Sequence, residues 1–356
     1  MYVRAVGTAT PARRYDKAAC WDAFARSAWF ERLSPRARAV ARSVLQRDNG
    51  IDTRHLAIES LDDVFAIDAD TLHRRFADHA PGLAAQAGGR ALADADLAPA
   101  DIDAVVVSTC TGYLCPGLSS YLIEGLGLRR DVLAFDLVGQ GCAAALPNWQ
   151  LSQALLAAGP SCHVLSVCVE VCSAAMYLDD DVGVLISACL FGDGAGAAVL
   201  SREPAATGER VIRFAQHASA TEPAQREALR FQTRGGLLRN VLTRAVPSIA
   251  AREATALMDA VTAQAAVPRA SIGGWIVHAG GRDVLAAVRE AAGLDAAALR
   301  HSAEALRRYG NLSSAFVYFV LRAAIDDPDT PPGWWWMTSF GAGFACHGAL
   351  LDVQPA

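Results

Sequence analysis

Phe191-Gly192-Asp193-Gly194-Ala195-Gly196-Ala197-Ala198-Val199-Leu200 and Phe340-Gly341-Ala342-Gly343-Phe344, the latter followed by Ala349-Leu350-Leu351, are two versions of one pattern. In each, an aromatic residue enters a glycine turn and an apolar run leaves it, as expected of a buried strand. Other segments repeat in the same order. Val105-Val106-Val107 runs into the turn ending at Gly112, and Gly274-Trp275-Ile276-Val277-His278-Ala279-Gly280-Gly281 echoes it. The turn and helix start around Cys142 are echoed by Arg308-Tyr309-Gly310-Asn311-Leu312-Ser313-Ser314-Ala315. An internal repeat of this kind is most simply a duplicated α/β unit, with halves at residues 1–205 and 206–356.

Working outward, apolar strands alternate with helical patterns. Ala104–Thr109 reads as a buried strand and Val132–Leu137 and Cys162–Val169 as further strands, while 72–97, 148–158 and the stretch from the Pro116-Gly117 turn through Leu126 read as helical. This grammar predicts an α/β fold with a largely parallel sheet. Residues 1–60 are Arg-rich and amphipathic, with Pro11 and Pro35 expected as breaks.

The bulk numbers narrow the function classes. The 356 residues are 53% apolar and 19% charged, enough for a large core or an oligomer interface. A net charge of −5 gives no basic surface for nucleic acid or anionic membranes. The N-terminus is too soon interrupted for a signal peptide. No uninterrupted apolar stretch of roughly 18 residues predicts a membrane span. Nine cysteines, an odd number without a C-x-x-C pair, argue against a disulfide framework or a zinc site and for a reducing, cytoplasmic setting.

One cysteine stands apart. In Leu137-Val138-Gly139-Gln140-Gly141-Cys142-Ala143-Ala144-Ala145, a strand enters a glycine bend and a helix start leaves it. A helix N-terminus stabilises a thiolate, the nucleophilic form of cysteine. A free cysteine can equally be a small buried apolar residue. His278 and Asn311 lie on equivalent turns of the second half. Histidine can take a proton or bind a developing oxyanion, and asparagine can donate to the same oxygen. Singly, each also suits an ordinary strand-end or capping role; together on matched turns they form a candidate site. The order Cys, His, Asn also occurs in papain-like proteases, but their local C-G-S-C-W signature is missing and a duplicated α/β chain does not suit them.

At these residues the chain resembles the type III polyketide synthases, the chalcone-synthase-like branch of the thiolase superfamily. The resemblance runs almost end to end, from Gly7-Thr8-Ala9-Thr10-Pro11 through Cys110-Thr111-Gly112-Tyr113-Leu114-Cys115-Pro116-Gly117, Gly139-Gln140-Gly141-Cys142 and Leu190-Phe191-Gly192-Asp193-Gly194 to Trp275-Ile276-Val277-His278, Tyr309-Gly310-Asn311-Leu312-Ser313-Ser314 and Phe340-Gly341-Ala342-Gly343. It implies a thiolase-like αβαβα five-layer fold, a homodimer, and coenzyme A thioesters as substrates, with no metal or redox cofactor. Cys142 is then the acyl acceptor, and His278 and Asn311 hold the thioester carbonyl of malonyl-CoA during decarboxylation. The resulting carbanion attacks the acyl group on Cys142 in a Claisen condensation.

The resemblance also implies a set of binding residues. Phe191 matches the gatekeeper at the tunnel mouth, and Cys110, Cys115, Cys172 and Ala175 match cavity positions, Cys115 reaching toward the partner subunit. A second gatekeeper phenylalanine is missing and Asn240 falls nearest; Gly343 completes the substrate-binding set. Arg36, Arg38, Arg42 and Arg47 lie where the family places basic coenzyme A contacts, although a solvated helix face suits them too. The segments Arg239–Leu242 and Trp334–Leu351 look like the bacterial alkylresorcinol and alkylpyrone synthases. They imply a fatty acyl starter, from acyl-CoA or an acyl-carrier protein, and two or three malonyl extensions. The other readings are a chalcone- or phloroglucinol-type synthase and a single-condensation β-ketoacyl-carrier-protein synthase.

Overall fold

A computed structural model describes residues 1–204 and 210–355. In chain order the first part holds β1 (Tyr2–Ala9), β2 (Arg14–Asp16), α1 (Lys17–Ala25), α2 (Ala28–Arg32), α3 (Pro35–Gln46), β3 (Thr53–His55), α4 (Ala69–Asp94), β4 (Ala104–Ser108), α5 (Leu118–Leu126), β5 (Leu133–Leu137), α6 (Ala145–Ala158), β6 (His163–Glu170), α7 (Val182–Leu190) and β7 (Gly194–Ser201). The second part holds β8 (Val211–Thr221), β9 (Leu229–Arg234), β10 (Leu237–Leu242), α8 (Val246–Gln264), β11 (Ile272–Val277), α9 (Arg282–Ala291), α10 (Arg300–Tyr309), α11 (Phe316–Asp326), β12 (Gly333–Gly341) and β13 (Ala345–Gln354). The boundary expected between Ala205 and Ala206 lies outside the described residues.

Nine strands form one sheet in the order β11-β12-β13-β8-β1-β7-β6-β4-β5. The expectation of a largely parallel sheet is corrected. Only β11/β12, β4/β5 and β4/β6 are parallel. The pairs β1/β7, β1/β8, β6/β7, β8/β13 and β12/β13 are antiparallel. Chain length is one physical reason. A parallel connection needs a crossover of a dozen or more residues, and only Ala342–Phe344 separate β12 from β13. The N-terminal strand β1 lies between β7 and β8 and joins the strands of the two halves through Tyr2↔Arg213 and Val3↔Ile212.

The repeated glycine phrase precedes equivalent strands. β7 pairs antiparallel with β6 as β13 does with β12. The halves differ in how the chain arrives: α7 precedes Phe191, whereas Phe340 still lies in β12.

The layers follow from which helix faces are apolar. α11 buries Phe316, Val317, Tyr318, Phe319, Val320 and Leu321, so it is apolar almost all round and fits only between other elements. It packs on β1, β7 and β11, and α6 packs on β4, β6 and β13, so both form a central layer touching strands of both halves. α4 covers β1, β7 and β6 outside, and α8 covers β8 and β13 outside. This is the αβαβα arrangement. Burying each large side chain contributes roughly 1.5–3 kcal/mol. At Gly196 of β7 a Cβ would stand 2.4 Å from Cβ of Tyr318, so only glycine lets α11 approach this closely. The Tyr318 hydroxyl remains satisfied in the interior, bonded to Trp149 Nε1 at 3.2 Å and Ser166 Oγ at 2.9 Å.

Pro35 starts a helix rather than breaking one. It occupies the first turn of α3 behind Ser34, whose side chain accepts from the Ala37 N–H.

Candidate active site

Cys142 lies in the short 3-10 turn Gly141–Ala143, directly before α6. Gly139 and Gly141 have φ of +82° and +54°, a left-handed bend that needs glycine. The second half braces this turn. A Cβ on Gly341 would stand 3.0 Å from Cys142 N and 2.9 Å from Ala143 N. Ser339 Oγ donates to Ala143 O at 3.0 Å. The Cys142 backbone is therefore held by the C-terminal end of β12.

His278 follows β11 and is buried at 2% exposure. Its N–H donates to Thr338 O at 3.0 Å. Its ring sits edge-on between Phe316 (5.5 Å) and Phe340 (5.2 Å), on the same cleft as Cys142. Nδ1 has no partner among the described residues. The Phe316 and Phe340 rings keep the imidazole in one orientation.

Asn311 is aligned by backbone contacts. Its N–H donates to Leu190 O at 2.9 Å, and its carbonyl accepts from Gly192 N at 3.0 Å, so it pairs with the Phe191 turn. Its Oδ1 accepts the Ser313 N–H at 2.8 Å, which fixes the amide orientation. Nδ2 then donates one hydrogen to Gly280 O at 3.3 Å and keeps a second for another acceptor.

Cys142, His278 and Asn311 line one cleft of about 980 Å³. The structure thus brings together the three residues singled out in the sequence. It adds two groups that sequence reasoning missed. Ser313 Oγ donates to Cys142 Sγ at 3.1 Å and lies 3.2 Å from Cys110 Sγ. Ser313 has φ of +51°, a strained value for a residue with a Cβ, of the kind that gathers at functional sites. Glu170, fully buried at the end of β6, accepts from Cys110 N at 3.1 Å, Thr111 Oγ1 at 2.9 Å and the Ser314 hydroxyl. Two signals were available: the Ser-Ser pair after Asn311, and one carboxylate ending a mostly apolar strand.

The electrostatics favour a thiolate at Cys142. The neighbouring Cys110 thiol, then His278 and Ser313, hold its pKa well below the ordinary thiol range against the opposing effect of burial. Burial pushes the Glu170 carboxyl up, although its hydroxyl and N–H donors resist. Such a constellation can act as an acyl-accepting nucleophile beside a donor pair for an oxyanion.

The binding residues divide. Cys110, Cys172, Ala175, Phe191 and Asn240 line a second, inner pocket of about 40 Å³, and Phe191 and Asn240 also face the large cleft. Phe191 and Asn240 therefore stand between the two spaces. Cys115 is exposed outside both pockets. Gly343 lines neither, because it sits in the β12–β13 hairpin behind the Cys142 turn.

Arg36 and Arg47 reach the cleft, together with Arg244 and Arg282, which sequence reasoning overlooked. Arg38 and Arg42 do not line it. Arg38 lies 5.7 Å over the Phe30 ring and donates to Leu33 O at 2.9 Å, while Arg42 lies 5.5 Å over the Trp21 ring. Helical geometry explains the split, since α3 turns alternate arginines onto different faces. No described group of His, Cys, Asp and Glu could hold a metal ion, and no described helix is long and apolar enough to cross a membrane.

Residues 67–262 match the sequence profile of the FAE1/Type III polyketide synthase-like proteins, and residues 222–353 match the chalcone and stilbene synthase C-terminal domain. The chain is 33% identical over 248 residues to the 3,5-dihydroxyphenylacetyl-CoA synthase of Amycolatopsis orientalis, a match covering 68% of this chain and 66% of that one. It is 31% identical to the 1,3,6,8-tetrahydroxynaphthalene synthase of Streptomyces peucetius subsp. caesius, covering 98% and 92%. It is 27% identical to the alpha-pyrone synthesis polyketide synthase-like Pks18 of Mycobacterium tuberculosis, covering 90% and 84%. The chain spans just under two thirds of the length of the dihydroxyphenylacetyl-CoA synthases that it matches. Its fold is that of the tetrahydroxynaphthalene synthase of Streptomyces coelicolor A3(2), at a TM-score of 0.89 and 24% identity over all of both chains. With this fold and these profile matches, the chain belongs to the type III polyketide synthase family.

Proposed function

We propose that the protein is an acyltransferase that loads an acyl starter from coenzyme A onto Cys142, extends it with malonyl-CoA and cyclises the product. The observation that carries this reading is the convergence of Cys142, His278 and Asn311 on one cleft large enough for a coenzyme A thioester. Asn311 Nδ2 and the His278 ring stabilise the enolate oxygen formed as malonyl-CoA loses carbon dioxide. The carbanion attacks the thioester on Cys142, the carbon–sulfur bond breaks, and the Cys142 thiolate leaves. Arg36, Arg47, Arg244 and Arg282 line the cleft that receives the coenzyme A phosphates. Catalysis needs no metal or redox cofactor.

The starter is a fatty acyl group, extended two or three times to an alkylpyrone or alkylresorcinol. Two features support this. The inner pocket shares Leu56, Met176 and Ala188 with a further, mostly apolar pocket beside Phe24 and Leu45, so the two adjoin. The similarity to Pks18 extends over 90% of the chain. Each pocket is only about 40 Å³, so an alkyl chain has to displace side chains, Met176 being the adaptable one. That small volume favours a second reading, a short starter whose chain grows in the large cleft.

The working unit is a homodimer. Leu133, Val138 and Tyr113 are exposed around β5, at one end of the sheet, and Cys115 is exposed too. An apolar sheet end of this kind is suited to burial by a second copy. Sedimentation of the purified protein checks this, and a monomer at micromolar concentration overturns it.

Malonyl-CoA with acyl-CoAs of graded chain length, read by mass spectrometry, tests the reaction. Alkylpyrones or alkylresorcinols from long starters support the first reading, and products only from short starters support the second. Release of a single β-ketoacyl product from each starter overturns both in favour of a one-step condensing enzyme.

A further inference from the structure

Two thiols share one hydroxyl in the candidate site. Ser313 Oγ lies 3.1 Å from Cys142 Sγ and 3.2 Å from Cys110 Sγ. Cys110 is held from the other side, where its N–H bonds Glu170 Oε2 at 3.1 Å and its Sγ lies 3.4 Å from Glu170 Oε1. Cys110 comes from the turn after β4 and Cys142 from the turn after β5, two parallel neighbours whose C-terminal ends lie side by side. The large cleft gives small solutes access to Cys142.

Condensation on Cys142 uses one thiol and leaves the other chemically idle. A stabilised, reachable thiolate beside a second thiol is the arrangement in which oxidation ends in a disulfide instead of proceeding to irreversible acids. We propose that hydrogen peroxide converts this pair into a Cys110–Cys142 disulfide, a reversible modification that turns the synthase off and protects its nucleophile. In the first step the Cys142 thiolate attacks peroxide, the O–O bond breaks, and a sulfenic acid forms with release of hydroxide. In the second step the Cys110 sulfur attacks the sulfenic sulfur and displaces its hydroxyl as water. The Cys110 proton passes through Glu170 to that leaving hydroxyl. The pair loses two electrons and one peroxide is reduced to two waters, the released hydroxide taking up from solvent the proton that Cys142 gave up on ionising. A dithiol reductant reverses the change by thiol–disulfide exchange. The inference is independent of which starter the enzyme accepts.

The experiment uses the full chain. The purified protein is treated with hydrogen peroxide, and each sample's condensation activity is compared with its own untreated control. Non-reducing peptide mapping follows. The expected result is a cross-linked Cys110–Cys142 peptide two hydrogens lighter than the separate peptides, with activity lost in step and restored by dithiothreitol to within twofold. In Cys110→Ser the same treatment leaves Cys142 as sulfinic acid, two oxygens heavier, and dithiothreitol restores less than a tenth of the starting activity. Sulfinic Cys142 in the unsubstituted protein without the cross-linked peptide overturns the proposal. The mapping of the unsubstituted protein stands even if Cys110→Ser does not fold, and it reads thiol chemistry whether or not any starter is turned over.

Discussion

The Ser313 hydroxyl donates to the Cys142 sulfur across 3.1 Å, while the Ser313 N–H is tied to Asn311 Oδ1 at 2.8 Å. One residue in a strained conformation thus couples the proposed nucleophile to the proposed oxyanion donor. A hydrogen bond to a charged group contributes about 1.5–3 kcal/mol. Ser313→Ala is therefore expected to lower kcat by about 10- to 100-fold and to raise the pH at which the thiol ionises. Alkylation of Cys142 by iodoacetamide across a pH series checks the second part.

His278 contributes to the depressed Cys142 pKa together with Cys110 and Ser313. The sign follows directly: a lowered thiol pKa means thiolate is present at pH values where an ordinary cysteine is protonated. Alkylation of the unsubstituted protein should reach its plateau well below pH 9, the ordinary thiol range. His278→Ala should move that inflection upward, and an unmoved inflection rules out the proposed His278 role.

Asn311→Ala removes a donor aimed at the proposed enolate but leaves Cys142 and His278 in place. Malonyl-CoA decarboxylation should fall by about 10²–10³-fold, the scale for losing one oxyanion donor. Acylation of Cys142 by the starter should persist. Release of labelled carbon dioxide and a single-turnover loading assay separate the two steps.

Gly341→Ala places a methyl 2.9 Å from Ala143 N and 3.0 Å from Cys142 N. Backbone cannot yield as a flexible side chain does, so the Cys142 turn must shift. Overpacking of this kind costs about 1–3 kcal/mol. A melting scan and a kcat measurement should both decline, whereas Gly82→Ala, with open space around the new methyl, should leave kcat unchanged.

His347 is buried, and burial lowers its pKa from 6.5 to about 4. It binds fewer protons folded than unfolded, so stability should fall as pH drops from 6.5 toward 4. At pH 4.5 the loss is about 2–3 kcal/mol. His347→Gln should flatten this part of the pH–stability curve in urea melts.

Much of the site was legible in the chain because catalysis and strand-end turns both leave local marks. Glycines around Cys142, the His278 strand end and the Gly310-Asn311 turn are readable one segment at a time. The duplicated phrase made it reasonable to set those turns against one another. Sheet direction was not legible, since the antiparallel pairing of β6 with β7 depends on where distant strands lie. Arg38 and Arg42 shared the composition of Arg36 and Arg47 but not their direction. Ser313 and Glu170 carry only faint local marks, a Ser-Ser pair and a carboxylate at a strand end, because their importance is a distance to a thiol on another turn.

The sequence by itself determined the alternation of elements, the repeated glycine phrase and the three residues that meet in one cleft, because periodicity, glycine bends and side-chain chemistry are local properties. Only the tertiary structure decided that β1 bridges the halves, that Gly341 braces Cys142, and that Ser313 stands between two thiols. Those relations rest on contacts between residues far apart in the chain, and no short-range pattern encodes a distance between them.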